Sequence, residues 1–228
     1  MQLNRKAIKH LHISVLPPDG RVRVSAPEKM TDTAIRMAVI SRLPWIKKQQ
    51  QGFAEQPRQT ERELVGGESH YLWGRRYRLE LTERTGRHEI TRQGNSKLLL
   101  LVNPGTSRDN KARVLDDFYR HEMKQSITEL LVYWQPLLGV EAAGWGVKKM
   151  KTKWGSCNIQ SRHIWLNLEL AKKPPECLEY ILVHELVHLL ERHHNDRFRQ
   201  YMDRYLPDWQ ERRTLLNSGP LSYEGWEY

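Results

Sequence analysis

In LHISVLPPDGRVRVSAP, residues 11–27, apolar and polar side chains alternate on both sides of a Pro-Pro-Asp-Gly turn, with Leu11, Ile13 and Val15 before it and Val22 and Val24 after it. A period of two on either side of a turn predicts a β-hairpin. The period then lengthens. TDTAIRMAVISRLPWIKKQQQGF spaces its apolar residues helically behind a Thr or Asp cap, and Pro44 interrupts it, so a broken helix or two helices are expected. From Gly66 to Val102 the strand pattern returns in SHYLWGRRYRLELTER, RHEITRQG and KLLLLVNP, separated by glycine-containing turns. Turn formers cluster in NPGTSRDNK, residues 103–111, ahead of a long helical pattern in ARVLDDFYRHEMKQSITELLVYWQPLLG. That cluster is the expected domain boundary, giving a β-rich N-terminal subdomain over 1–105 and a second domain over 106–228. Beyond it, GWGVKKMKTKWGSC and SRHIWLNLELA read as a pair of strands, and Pro174 and Pro175 open a helix. DRFRQYMDRYLPDWQERRTLLN reads as a last helix before an aromatic tail. The expected fold class is α+β.

Hydrophobic residues make up 39% and charged residues 28% of 228 positions, and 37 Lys+Arg against 27 Asp+Glu leave a formal charge of +10. A chain of this length can bury one large core or two small ones. The positive balance would draw it toward polyanions, nucleic acid among them, although a basic surface more often means simple solubility. The opening MQLNRKAIKHLHISV has no apolar signal segment, and no run reaches the roughly 18 apolar residues of a membrane helix. Cys157 and Cys177 are too few for a disulfide framework and are not spaced as C-x-x-C. A reduced, cytoplasmic protein with no membrane segment is expected.

The chemistry concentrates in YILVHELVHLLERHHNDRF, residues 180–198, where four histidines and two glutamates interrupt an apolar helical pattern. Residues four apart on a helix are separated by about 40° around the axis and about 6 Å along it, so His184 and His188 project as neighbours able to share one cation. Glu185, roughly 100° from His184, points beside such an ion, where it can accept a proton from water that the metal acidifies. This is the H-E-x-x-H arrangement of zinc hydrolases, set between apolar flanks, YILV and LVHLL, that bury the helix and exclude water. Neutral imidazole suits zinc, and a single set of converging imidazoles implies one Zn2+ per chain. The bland alternative is a helix with two partly exposed histidines and an incidental glutamate. For a third ligand there are two candidates. On a continuous helix His194 would lie about 240° round from His188, so it reaches the ion only if the helix ends near Arg192, which HHND permits. Glu191 is on the ligand face but a turn further along, and helical side chains lean toward the N-terminus, which favours a supporting or solvated place for it.

WGSC at 154–157, LN on the next strand, a proline-opened helix with H-E-L-V-H, and a histidine and phenylalanine spaced after it make roughly residues 148–202 resemble the YgjP-like predicted metal-dependent hydrolases, relatives of the SprT and WLM zinc metallopeptidases. The resemblance implies a zincin-like core, with a small sheet over an active-site helix and a second helix behind it. It places the third metal ligand at His194, so that His184, His188 and His194 are the expected metal ligands, Glu185 the catalytic base, and Glu191 and His193 lie outside the set. It also implies a strand edge that holds an extended substrate by backbone pairing, with KTKWGSC and HIWLNLEL as the candidate segments. Trp154, lining a cleft, and Gly155, permitting close approach, are the candidate substrate-binding residues; core packing and a bulge are the competing readings. Cys157 and Cys177 are expected as small buried residues, and Phe198 as packing for the metal helix.

The expected function is zinc-dependent hydrolysis of a peptide bond in a peptide or protein substrate. Two other readings stay open. Lys148, Lys149, Lys151 and Lys153 before WGSC, with Lys172 and Lys173 before the metal helix, would attract a nucleotide or other phosphate compound, although no glycine-rich phosphate loop accompanies them. A SprT-like protease acting on DNA-bound partners has only the basic charge in its favour, with no recognisable zinc-finger or helix-turn-helix segment.

Overall fold

The computed structural model describes residues 2–16, 20–55, 63–150 and 153–218, in two compact units divided between Thr60 and Glu61. In the first unit β1 (Gln2–Lys6) runs parallel to β3 (Arg21–Pro27), and β3 pairs antiparallel with β2 (His12–Leu16). The expected hairpin is β2–β3, with Val15 opposite Val22 and Ile13 opposite Val24; Pro17, Pro18 and Asp19 of its turn lie outside the described residues. Val24 and Ala26 bury against Ile35 of α1 (Asp32–Ser41). The hydroxyl of Thr31 caps that helix by accepting the Ala34 N–H at 3.3 Å. The break at Pro44 yields a second helix, α2 (Leu43–Glu55), and places the proline in its first turn, where a missing N–H has no intrahelical partner to lose.

The second unit opens with the hairpin β4 (Ser69–Leu72) and β5 (Arg75–Glu83), and adds β6 (Glu89–Gln93) and β7 (Lys97–Val102) in the order β4-β5-β7-β6. The long helix α3 (Arg108–Leu138) buries Leu115, Tyr119, Met123, Ile127, Leu131, Trp134 and Leu138, one stripe at steps of three and four. The Tyr119 hydroxyl donates to the Tyr71 carbonyl at 2.9 Å and ties α3 to β4. The boundary expected at 105/106 thus falls inside this unit, between β7 and α3. Its turn formers close a tight loop, in which the N–H and hydroxyl of Thr106 both donate to the Asn103 carbonyl, at 3.1 and 2.6 Å. Such residues mark a sharp connection, and a sharp connection does not by itself separate two cores.

A second sheet follows, in the order β8-β10-β9. GWGVKKMKTKWGSC, expected as one strand, supplies two: β8 (Gly144–Lys148), parallel to β10 (His163–Asn167), and β9 (Gly155–Asn158), antiparallel to it on the other side. LELA is not strand but part of a 3-10 turn (Leu168–Lys172). Asn167, fully buried, organises this region. Its amide donates to the carbonyls of Met150 and Lys153 at 3.2 and 2.8 Å and accepts the N–H of Glu169 at 3.2 Å, while its own N–H donates to the Trp154 carbonyl at 2.9 Å.

Pro174 and Pro175 open α4 (Pro175–Val187), which packs against α3, β9, β10 and the two helices that follow. Those are α5 (Asp196–Tyr205) and α6 (Trp209–Ser218), where a single last helix was expected. Pro207 accounts for the difference, since a proline disfavours helical backbone in the residue before it, and Leu206 sits at φ −136°, ψ 72°. Glu179 of α4 accepts the Trp134 indole N–H of α3 at 3.0 Å and pairs with Arg212 of α6, which also bonds Asp208 at 2.8 Å. Among the described residues no helix is long and apolar enough to cross a membrane.

Asn167→Ala would leave the bonded amide partners without a replacement in a dry interior. The expected cost is about 2–4 kcal/mol of unfolding free energy, measured by denaturant titration.

Candidate metal centre

His184 and Glu185 lie in the last turn of α4, 6% and 3% exposed, within an uninterrupted run of buried residues from Tyr180 to Val187. His188 caps the helix, one turn earlier than the expected end near Arg192. The chain then turns tightly: the N–H groups of Leu189 and Leu190 donate to the carbonyls of Leu186 and Val187, at 3.0 and 2.9 Å. A further turn brings it to Asn195, whose side chain caps α5 by accepting the Phe198 N–H at 3.0 Å. This path returns His194 to the helix.

The imidazoles of His184, His188 and His194 converge, each offering a ring nitrogen within 4.8 Å of the other two. The Nε2 atoms of His184 and His194 are 2.9 Å apart. Two nitrogens about 2 Å from one tetrahedral ion would lie about 3.3 Å apart, so the spacing suits a shared cation. The three ring centres are 4.9, 4.9 and 4.7 Å from one another. Phe198 packs against all three at 4.9, 4.8 and 4.8 Å and is the floor of the cluster, a larger part than packing for the helix alone. The spacing could have indicated it, because Phe198 stands four residues after His194 with a helix cap between.

Nδ1 of His188 lies 3.2 Å from the Glu191 carbonyl oxygen, which can only accept; Nδ1 therefore carries the proton and Nε2 keeps its lone pair. The Glu191 carboxylate turns the other way and accepts the His193 N–H at 3.1 Å. Neither Glu191 nor His193 belongs to the converging set. Burial, then repulsion from His188, His194 and Arg213, pushes His184 down to about 3. Burial likewise lowers His188 and His194, and the Arg213 guanidinium of α6 adds to the lowering at His194. Three uncharged imidazoles at neutral pH form the donor set that zinc prefers.

Glu185 is placed from the other side by β9. A Cβ on Gly155 would lie 2.6 Å from Glu185 Oε1 and 2.8 Å from Ile181 Cγ2, so only glycine lets the strand approach the helix this closely. Gly155 does permit close approach, then, but of the carboxylate of α4. Trp154 is 1% exposed, with Lys173 Nζ 5.7 Å from its ring centre. A ring so enclosed offers no surface to a cleft, which corrects the substrate-lining expectation for it. Cys177 is buried as expected, whereas Cys157 is only half-buried and lines an open cleft beside His188. Burial, with the Glu185 charge adding to it, raises the Cys157 thiol to about 11.

A family model described as YgjP-like, metallopeptidase domain, matches residues 9–219. The chain belongs to the YgjP-like family. Among solved structures, the YgjP-like chain is similar to the metallopeptidase zymogen of Pyrococcus abyssi abylysin, at 21% identity and a TM-score of 0.37, over 40% of this chain and 90% of that one. No curated protein matches it. The family description makes this YgjP-like protein a hydrolase of the metallopeptidase kind, with a mixed α and β fold.

Two outcomes are expected. Gly155→Ala should lower turnover at least tenfold while bound metal stays near the wild-type level, measured by kinetics and elemental analysis side by side. For the metal-free protein, a folded His184 pKa near 3 lies below the usual 6.5, so the unfolded chain binds more protons between these values and stability is lost as pH falls through that window. The melting temperature should already drop between about pH 6.5 and 5, above most carboxylate titration. His184→Gln should flatten that slope.

Proposed function

We propose that the protein is a zinc-dependent peptidase in which His184, His188 and His194 hold one zinc and Glu185 is the general base. The observation that carries this reading is the convergence of three neutral imidazole nitrogens within 4.8 Å, beside which in sequence stands Glu185, its carboxylate against Gly155 of β9. A zinc ion so bound supplies a Lewis acid that polarises a scissile carbonyl and acidifies water. The chain's own groups do the rest. Glu185 takes the proton of the attacking water at a carboxylate oxygen and passes it to the leaving amine. The Glu191 carbonyl keeps His188 in the tautomer whose Nε2 can bind. β9 lies at the edge of its sheet, and an extended peptide pairing along that edge would pass close to Glu185.

A phosphate substrate finds less support. Lys148 Nζ lies 4.4 Å from the Trp165 ring centre, Lys149 pairs with Asp116 at 2.7 Å, Lys172 pairs with Glu169 at 2.7 Å, and Lys173 is buried over Trp154. Most of the lysines that would attract an anion are thus engaged elsewhere. Lys153 is exposed, and Lys151 lies outside the described residues. A peptide or protein is therefore the substrate class proposed.

The test combines metal content with turnover on a peptide library. Wild type should bind about one zinc per chain. Glu185→Gln should keep that zinc and lose roughly 100-fold or more in turnover. His194→Ala should lose zinc affinity as His188→Ala does, whereas His193→Ala should retain it. Full zinc affinity in His194→Ala, or undiminished turnover in Glu185→Gln, would overturn the assignment.

A further inference from the structure

LVHLL, expected to bury the helix, does so only in part. Because α4 stops at Val187, Leu189 and Leu190 are left half-buried and form one wall of a cleft of about 630 Å³ that His188 also lines. Cys157 and Ile159, near the end of β9 and in the turn after it, form another wall. Ile159 is exposed, so its side chain is available to a ligand entering the cleft. Both walls are built in advance. The Asn158 side chain accepts the N–H groups of Gln160 and Ser161 at 3.0 and 3.1 Å, which holds the turn beneath Ile159. The leucine wall is held by the main-chain bonds that follow α4.

The lining combines the apolar Ile159, Leu189 and Leu190 with the polar Asn158, Gln160 and Arg192. Among the described residues it holds no carboxylate, and its one formal charge is the exposed guanidinium of Arg192. A lysine or arginine side chain entering here would lose water, find no carboxylate on the lining itself and meet the like charge of Arg192. A leucine, isoleucine, methionine or phenylalanine side chain would instead displace water from Ile159, Leu189 and Leu190. The size falls within the range of sites that enclose a ligand group, and it adjoins a proposed metal ligand.

We infer that this cleft is the specificity subsite for the substrate, receiving a large apolar side chain of a peptide on the His188 side of the scissile bond and rejecting basic ones. The inference rests on the peptidase reading above for its catalytic meaning, but the cleft's preference is a property of its own walls. One methylene in such a pocket changes kcat/KM by roughly tenfold or more, so the preference should be readily measurable.

Two measurements on the zinc-loaded protein, residues 1–228, test it. In the first, the 15N-labelled protein is titrated with N-acetyl-L-leucinamide and, separately, with N-acetyl-L-lysinamide. The leucine probe should give saturable amide shifts confined to residues around Cys157, Ile159, Leu189 and Leu190, and the lysine probe should not. Ile159→Asp, in an exposed turn, should abolish the leucine response while leaving the rest of the amide spectrum in place. Absence of localised shifts in wild type, or equal shifts from both probes, would overturn the inference without reference to catalysis or to any variant. In the second, a random peptide library is cleaved and the cut sites aligned. Leucine, isoleucine, methionine and phenylalanine should dominate one position, and Ile159→Asp should lower kcat/KM for those peptides at least tenfold and shift cleavage toward lysine and arginine. Cleavage with no fixed apolar position would reject the subsite and leave the peptidase reading standing. A library left intact by a protein that binds the leucine probe as described would reject the peptidase reading and leave the apolar cleft standing.

Discussion

Burial of α4 governs the chemistry of everything placed on it. From Tyr180 to Val187 the helix is buried, and the ring of His184 lies among apolar neighbours with two other imidazoles close by. Putting a proton there means desolvating a cation beside other bases and within reach of the Arg213 charge, so the rings stay neutral. Neutral imidazoles with converging lone pairs are costly companions when nothing lies between them, and a divalent cation resolves that conflict. The apolar flanks and the metal-binding capacity are therefore one property of this helix.

Stopping the helix matters as much as burying it. Had α4 continued through HHND, His194 would lie about 240° round from His188. The chain leaves the helix at His188, and the residues it then exposes are reused. The Glu191 carbonyl orients the His188 ring, its carboxylate holds the His193 N–H, and Asn195 starts the helix that delivers Phe198 beneath all three imidazoles. Glu191 competes for a metal position on sequence grounds; in the fold its backbone carbonyl orients the His188 ring.

The second sheet supplies the opposite side of the centre. Asn167 binds the carbonyls of Met150 and Lys153 and the backbone of Trp154, fastening the segment that leads into β9. Gly155 then brings that strand against Glu185, and Cys157, on the same face of β9, reaches the cleft. WGSC and LN thus have mechanical meanings: a buried ring, a close approach, a cleft wall and a buried amide hub.

Local spacing carried much of this in advance. The hairpin β2–β3, the break at Pro44, the strands β4 to β7, α3, and the placing of His184, Glu185 and His188 on consecutive turns of one helix all depend on contacts within a few residues, which period and caps report directly. Membership of the YgjP-like family was legible in the same stretch. Other features depended on segments far apart in sequence. The division near residue 60 was not marked by the turn-rich loop at 105, because a compact unit is defined by its long-range contacts and a turn is a local bend. The lysine-rich GWGVKKMKTKWGSC became two strands because β10 can accept a partner on each side. Trp154 is buried, with the Lys173 ammonium over its ring, and Gly155 met a carboxylate thirty positions on. Leu189 and Leu190 look like core in a helical pattern, yet they face a cleft once the helix has ended. A period states which side chains share a face; what that face meets, and where the helix is forced to stop, are settled by the packing of distant elements against it.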